Sequence, residues 1–257
     1  MLRILLYPTL MFVLFTDFGA TGPYIGQMKA KLIEIAPEVP IIDLFSDAPC
    51  QNPMAAAYLL AAYAEAFPRG SIFVCVVDPG VGGERPGVII EAEGKYFVGP
   101  GNGLFEMVLR GANPTAKIWE IDWPPDTVSA SFHGRDIFAP VAAMIANGDD
   151  KPGIERSIEW QRQDKWPDNL AEVIYIDHYG NAITGMREYF VKPSIALRVN
   201  HVYLNKALTF SSVSKGQAFW FVNSNGLVEI AANKGRAAEL LNLNVGTKIE
   251  LSDNAHR

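Results

Sequence analysis

Apolar and polar positions follow two different rhythms along this chain. From residue 12 to about 147, short apolar runs take turns with longer segments of helical spacing. "FVLFT" reads as a buried strand, and "YIGQMKAKLIEIA" repeats its apolar residues at the spacing of one helix face. "VPIIDLF" predicts a second strand, and "NPMAAAYLLAAYAEAF" a helix with proline near its start. "SIFVCVV" predicts a third strand, ending at Asp78. "GVIIEAEG" and "KYFVG" predict two more strands on either side of a turn, and "GLFEMVLRG" and "DIFAPVAAMIANG" two further helices. Strands alternating with helices at this spacing predict an α/β domain, a mostly parallel sheet flanked by helices.

After "ANGDDKPGIE" the rhythm changes. The stretch that follows is polar and irregular, with tryptophans and a proline. Beyond residue 171 the apolar segments are short: "AEVIYIDHYGNAITG", "ALRVN", "HVYLN", "AFWFVNSNGLVEIAAN" and "TKIELSD". Turn residues separate them, which predicts a small C-terminal β-barrel. The expected organisation is an α/β domain over 11–150, a linker over 151–170 and the β-barrel domain over 171–257. "MLRILLYPTLMFVLF" has the apolar character of a signal sequence but runs into "TDFG" without a cleavage site. Broken by Pro8, it is also too short to span a membrane. Residues 1–10 are therefore read as an extension from an upstream start site.

At 257 residues, with 49% hydrophobic and 19% charged positions, the chain has the composition of a soluble globular protein with a sizeable core. A formal net charge of −6 without any Lys/Arg-rich run argues against a nucleic-acid partner, since phosphate binding needs clustered cations. No membrane partner is expected either. The two cysteines, Cys50 and Cys75, are expected to be reduced core thiols of a cytoplasmic protein.

Ligands of open parallel sheets bind at the carboxyl ends of the strands. Asp17 and Asp78 both terminate or follow apolar strands, so the two carboxylates are expected along one edge; a turn or helix cap is the plainer role for each. "DPGVGGERPG" lacks the Lys-Ser/Thr ending of a phosphate loop and precedes a strand, so it reads as a tight turn presenting Asp78 and Arg85. An arginine there can pair with the carboxylate, or lie exposed. His133, in "SFHGRDIFAP" beside Arg135 and Asp136, is a candidate acid–base group. Asn102 in "GPGNGLF" is placed like a helix cap or a ligand contact. In "YIDHYGNAITG", Asp177, Tyr179 and Asn181 alternate; on a strand they would share one face, whereas "HYGN" and "NSNG" also read as hairpin turns. "NSNGLVEIAANKG" adds Ser224, Asn225, Glu229 and Asn233.

Taken in order, "TDFG", "VDPGVGGERPG", "GPGNGLF", "FHGRDIFAP", "IDHYGN" and "NSNGLVEIA" make the chain resemble the S-adenosyl-L-methionine hydroxide adenosyltransferases, relatives of the fluorinating and chlorinating enzymes. The resemblance runs from Met11 to about Ser252. It implies hydrolysis of S-adenosylmethionine to adenosine and methionine by in-line attack of water on the ribose 5′-carbon, with no cofactor and no metal. It also implies a homotrimer with active sites at the subunit interfaces. By resemblance Asp17 grips the ribose hydroxyls, while Asp78, Arg85 and His133 position and activate water. Asn181 reads the adenine edge beside Tyr179; Asp177 meets the methionine ammonium; Ser224, helped by Asn225, meets its carboxylate. Glu229 and Asn233 are further binding positions.

The halide-using relatives carry Tyr and Thr near the positions of Asp78 and Val81, an arginine at that of Asn225, and an extra loop. None of these is present, so water is expected as the nucleophile in place of halide. Two other readings of the same residues are a metal-dependent hydrolase using Asp17, Asp78, His133 and Asp136, and a non-catalytic sensor of the same ligand.

Overall fold

The computed structural model describes residues 10–125, 127–149 and 151–253. The chain divides into two compact units between Gln163 and Asp164. Residues 1–9, most of the expected N-terminal extension, lie outside the described residues.

The first unit runs β1 (Met11–Thr16), α1 (Tyr24–Ile35), β2 (Ile41–Phe45), α2 (Pro53–Ala64), β3 (Ser71–Val76), β4 (Gly87–Ala92), β5 (Lys95–Pro100), α3 (Glu106–Ala112), β6 (Lys117–Ile121), a π-helical turn over Gly134–Phe138, α4 (Ala139–Ala146) and β7 (Gly153–Arg156). The strands form one sheet in the order β2-β1-β3-β5-β4-β6-β7. β2, β1, β3 and β5 are parallel, and β4, β6 and β7 join by antiparallel pairings. The sheet is thus mostly parallel, as expected, with an antiparallel flank.

Local chemistry explains the elements that place the site. β1 and β3 are buried almost throughout, as central parallel strands must be. Helix α2 starts where the Asn52 side chain accepts the Ala55 N–H at 3.0 Å, with Pro53 next in line. Its small alanines let it bury eight of its twelve residues. Chain order fixes a further feature: β1 leads to β2 on one side, and the chain then returns past β1 to β3 on the other. The crevice at the carboxyl ends of β1 and β3 is therefore the topological switch point of the sheet, where ligands of such folds bind.

Residues 153–156, expected to be irregular, form the edge strand β7 against β6. Ile158–Gln161 follow as a short 3₁₀ turn. The next two residues are tied to α3 by a buried carboxylate. Glu106 accepts from Arg110 Nε at 2.6 Å, Arg162 Nε at 3.1 Å and the Gln163 N–H at 2.9 Å. These polar residues read as solvated linker because their partner lies over fifty positions away.

The second unit contains β8 (Leu170–Ile176), β9 (Ala182–Arg187), β10 (Ala196–Val199), β11 (Val202–Leu204), β12 (Ala218–Val222), β13 (Leu227–Ala232), α5 (Ala237–Leu240) and β14 (Glu250–Ser252). The strands are short and separated by turns, as expected. They form two antiparallel sheets, β12-β13-β9-β8 and β11-β10-β14. Backbone hydrogen bonds cross both seams beside the bridges Glu172 to Lys248 and Lys206 to Trp220, among them Val173 N–H to the Thr247 carbonyl at 2.9 Å and Trp220 N–H to the Asn205 carbonyl at 3.1 Å. A common apolar core, including Val173, Leu197, Trp220 and Ile230, lies between the sheets. Among the described residues no helix is long and apolar enough to cross a membrane.

Replacing Glu106 by alanine leaves two largely buried guanidinium groups without their carboxylate. Urea denaturation of the Glu106→Ala variant should show a loss of about 3–5 kcal/mol. An unchanged midpoint would show that the ion pairs contribute no net stability.

Candidate active site

The in-register parallel pairing of β1 with β3 aligns Thr16 with Val76, so the residues that follow both strands emerge on one edge. The Asp17 N–H continues the ladder to the Val76 carbonyl at 3.3 Å. Asp17, Asp78 and His133 line a single cleft of about 310 Å³ there, with Phe18, Val81 and Phe132 on its apolar walls. That volume is at the small end for ligand sites.

The Asp17 carboxylate is half-buried, and desolvation raises its pKa above the ordinary aspartate value. The nearby charge of Asp78 acts in the same direction. The backbone N–H groups of Gln51 and of Asp17 itself oppose it, that of Gln51 donating at 2.8 Å. Gln51 adopts φ +52°, a left-handed conformation uncommon for a residue with a side chain, and in it presents its N–H to Asp17. A carboxylate so placed gains from any further donor. Beside it, Cys50 is exposed and lines the cleft, contrary to its expected burial; it belongs to the turn before α2. Cys75, inside β3, is buried as expected.

Asp78, Arg85 and His133 form one hydrogen-bonded unit. Arg85 Nε donates to both Asp78 oxygens, at 3.0 and 2.9 Å, and its Nη2 donates to Asp78 Oδ2 as well. The same Nη2 lies 2.9 Å from His133 Nδ1. Guanidinium is only a donor, so Nδ1 must accept. The imidazole is therefore neutral and carries its proton on Nε2. Burial and the Arg85 charge hold the His133 pKa below its ordinary value, outweighing Asp78 and Asp136.

The loop between Asp78 and Arg85 is the expected tight turn. Val81 N–H returns to the Asp78 carbonyl at 3.3 Å, and Gly83 N–H to the Gly80 carbonyl at 3.0 Å. Gly82, at φ +79°, passes so close to the segment before His133 that a Cβ there would lie 2.4 Å from the Ala130 carbonyl. This contact fixes the loop against the histidine-bearing segment.

Asp136 faces another network. It binds Arg135 through both oxygens, at 2.6 and 2.9 Å, and accepts the Ser129 N–H; the Arg135 bond lowers its pKa. Asp136 is not among the residues lining the cleft with Asp17, Asp78 and His133, and among the described residues no group of three or more His, Cys, Asp or Glu side chains is placed to hold a metal ion. Asn102 joins strand ends: its Nδ2 donates to the Val77 carbonyl at 3.0 Å, and its Oδ1 accepts the Leu104 N–H. It supports the backbone next to Asp78 and is not among the residues lining the cleft.

The second unit has its own concavity, lined by Asp177, Tyr179, Asn181, Phe210, Glu229 and the rim cations Lys234 and Arg236. Asp177–Asn181 is the β8–β9 hairpin turn, not a strand face. Gly180 N–H closes onto the Asp177 carbonyl at 2.9 Å, with Gly180 at φ +79°. The turn is locked by the side chain, since Asp177 accepts the Asn181 backbone N–H at 2.8 Å and its Nδ2 at 3.0 Å. Tyr179 at the tip is 72% exposed. Glu229 in β13 is buried and accepts from Asn223 Nδ2 at 3.0 Å; burial above all, with the charge of Asp177, raises its pKa to about 7.

Ser224 and Asn225 form the β12–β13 turn, where Asn225 Nδ2 approaches Ser224 Oγ at 3.4 Å. Asn233 donates to the Val213 carbonyl at 2.7 Å. None of these three lines the concavity. Phe210 does, and sequence reasoning missed it: it sits in a short 3₁₀ turn without apolar periodicity. An aromatic residue amid "LTFSS" was the available signal.

Residues 12–154 match the SAM hydroxide adenosyltransferase N-terminal domain, and residues 171–250 the C-terminal domain of the same family. The (R)-S-adenosyl-L-methionine hydrolase of Thermus thermophilus is 34% identical, covering 92% of this chain and 97% of its own. The fluorinase of Actinopolyspora mzabensis is more distant, at 21% identity over 92% of this chain and 95% of its own. A crystal structure of a conserved Thermotoga maritima protein superposes with a TM-score of 0.83 at 29% identity, covering 94% of this chain and all of that one.

Two measurements check the electrostatics. Nitrogen NMR of His133 should show a neutral ring protonated on Nε2 at pH 7, and Arg85→Gln should raise its pKa, since the guanidinium charge helps to hold it down. A proton on Nδ1, or an unchanged pKa, would contradict the geometry. For Glu229, the folded pKa of about 7 exceeds the unfolded value, so the folded state holds the extra proton between them and stability falls as pH rises through that window. Glu229→Gln should be near neutral at pH 4 and stabilising at pH 8, on the order of 1–3 kcal/mol in denaturation.

Proposed function

The chain belongs to the SAM hydroxide adenosyltransferase family, and from that premise we propose that it hydrolyses S-adenosylmethionine to adenosine and methionine. The observation that carries this reading is the Asp78–Arg85–His133 unit beside Asp17 in one cleft at the sheet's switch point. The relatives' name specifies the R configuration at sulfur, and the same epimer is the substrate expected here.

Water attacks the ribose 5′-carbon in line with the breaking C–S bond. The bonding pair leaves with sulfur, so methionine departs as a neutral thioether and needs no general acid and no cofactor. Asp17 accepts hydrogen bonds from the ribose diol, which compensates its desolvation and fixes the 5′-carbon. Orientation of this kind is worth about 7–11 kcal/mol in favourable cases.

His133, with Nδ1 occupied by Arg85, donates from Nε2 and holds the attacking water; it does not take the proton. Attack makes an oxonium, a strong acid that a carboxylate suffices to deprotonate. Asp78, held by Arg85, is the acceptor we assign. The apolar wall at Val81 offers no hydroxyl for a halide, which supports water over the halogenase reading. The concavity of the second unit supplies adenine and methionine recognition through Asn181, Tyr179, Phe210 and Asp177. We further propose a homotrimer in which the first unit of one subunit meets the second unit of the next. Two unpaired thiols support a cytoplasmic location.

Purified protein incubated with each sulfonium epimer should yield equimolar adenosine and methionine, unaffected by chloride or chelator, by chromatography. A 5′-chloronucleoside would move the assignment to the halogenases, and tight adenosine binding without product to a sensor. His133→Ala should lower turnover about 10²–10³-fold with little change in adenosine affinity, and His133→Gln, which keeps a donor, should recover part of the loss. Asp17→Ala should abolish adenosine binding in calorimetry. Mixing refolded Asp17→Ala and Asn181→Ala subunits should restore activity that neither has alone; no restoration would argue against shared sites.

A further inference from the structure

The chain reaches His133 from an irregular segment, since residues 127–129 belong to no helix or strand. Among the described residues the imidazole has one hydrogen-bond partner, Arg85, and an edge contact with the Phe138 ring, 6.5 Å between centroids. One polar tether on a loop does not hold a ring to the tolerance that in-line attack demands. The backbone that carries His133 must be fixed by other groups.

Asp136 closes that backbone on itself. Its Oδ2 accepts the Ser129 N–H at 2.9 Å, so the stretch 129–136 is bonded end to end with His133 inside it. Within the stretch, the Phe132 N–H returns to the Ser129 carbonyl, and the Phe132 carbonyl accepts from the N–H groups of Arg135 and Asp136, all at 3.2 Å. The π-helical turn over Gly134–Phe138 follows directly, an uncommon turn found mostly at functional sites. Arg135 ties the loop outward. It holds Asp136 through both oxygens, donates from Nη1 to Gln27 Oε1 on α1 at 2.8 Å, and lies over the Phe132 ring at 5.0 Å. Phe132 in turn meets Phe18 and Tyr24 edge-on, at 5.8 and 5.5 Å. Gly134 seats the loop closely, because a Cβ there would lie 3.2 Å from the Val76 side chain and 3.3 Å from that of Met28.

We propose that Asp136 is a positioning residue: through Ser129 and Arg135 it clamps the loop so that His133 Nδ1 meets Arg85 and the Nε2 proton faces the attacking water. Asp136 touches no reacting atom. Its effect on turnover rests on the hydrolase reading; the clamp rests on the bonds around Asp136. Alanine at 136 removes both the acceptor for Ser129 and the partner of Arg135. The loop then shifts, Nδ1 parts from the guanidinium, and the ring is free to carry its proton on either nitrogen. Asparagine keeps an acceptor for the Ser129 N–H but loses the charge-assisted pair, so it retains part of the clamp.

Asp136→Ala should lower kcat about 10- to 100-fold, as displacement of a catalytic group by an ångström does, with adenosine affinity in calorimetry close to wild type. Nitrogen NMR of that variant at pH 7 should show both His133 tautomers where wild type shows the Nε2 proton alone. Asp136→Asn should recover kcat and the single tautomer together, each in part. A carboxylate that only stabilised the fold would lower the unfolding midpoint and leave the tautomer untouched. If Asp136→Ala does not fold, Arg135→Lys carries the test: it keeps the charge, loses the two-pronged grip, and should mix the tautomers as well. The proposal is overturned by a single Nε2 tautomer or a wild-type kcat in the folded variant, or by a wild-type ring protonated on Nδ1. Mixed tautomers in the variant, with no turnover by wild type, sink the hydrolase reading and leave the clamp standing. Wild-type turnover with an unchanged variant spectrum sinks the clamp alone.

Discussion

The in-register parallel pairing of β1 with β3 is the constraint on which the first unit's chemistry depends. Two buried strands of equal length end side by side, and the chain leaves each through a turn that starts or nearly starts with an aspartate. Because the connections from β1 and to β3 run to opposite sides, no strand crossover covers that edge. Asp17 and Asp78 are thereby placed in one crevice without either strand distorting. The cost falls on Asp17, whose burial is only partly compensated by the Gln51 N–H.

Arg85 converts that placement into a defined electrostatic state. One guanidinium donates to both oxygens of Asp78 and, from Nη2, to His133. A donor-only group beside Nδ1 dictates the tautomer, so the imidazole points its proton away from the arginine. This is a different arrangement from a histidine base steered by a carboxylate, because here the cation stands between them. It suits a displacement whose leaving group is already cationic and whose nucleophile must be held in line more than activated.

The second unit uses the same physics with the opposite sign. In place of a carboxylate matched to a guanidinium, Glu229 is buried near another carboxylate and accepts from the Asn223 amide. Such a group is unfavourable in its ionised form unless a cation arrives.

The sequence by itself determined the α/β character of the first unit, the short-stranded second unit, and the edge shared by Asp17 and Asp78, because buried parallel strands are apolar runs and strand ends are where ligands bind. It also determined the family, since six short motifs in order carry what no one of them does. Only the tertiary structure decided matters that hang on distant partners. Residues 153–163 looked solvated until Glu106 and β6 were set beside them. Asp177, Tyr179 and Asn181 could be a strand face or a turn by local pattern alone, and the side-chain lock of Asp177 onto Asn181 settles it as a turn. Cys50 looked like a core residue from its neighbours in sequence but faces the cleft. Phe210 had no periodicity to announce it. The tautomer of His133 and the raised pKa of Glu229 depend on which charges lie within a few ångströms and how much water is excluded, and spacing along a chain encodes neither.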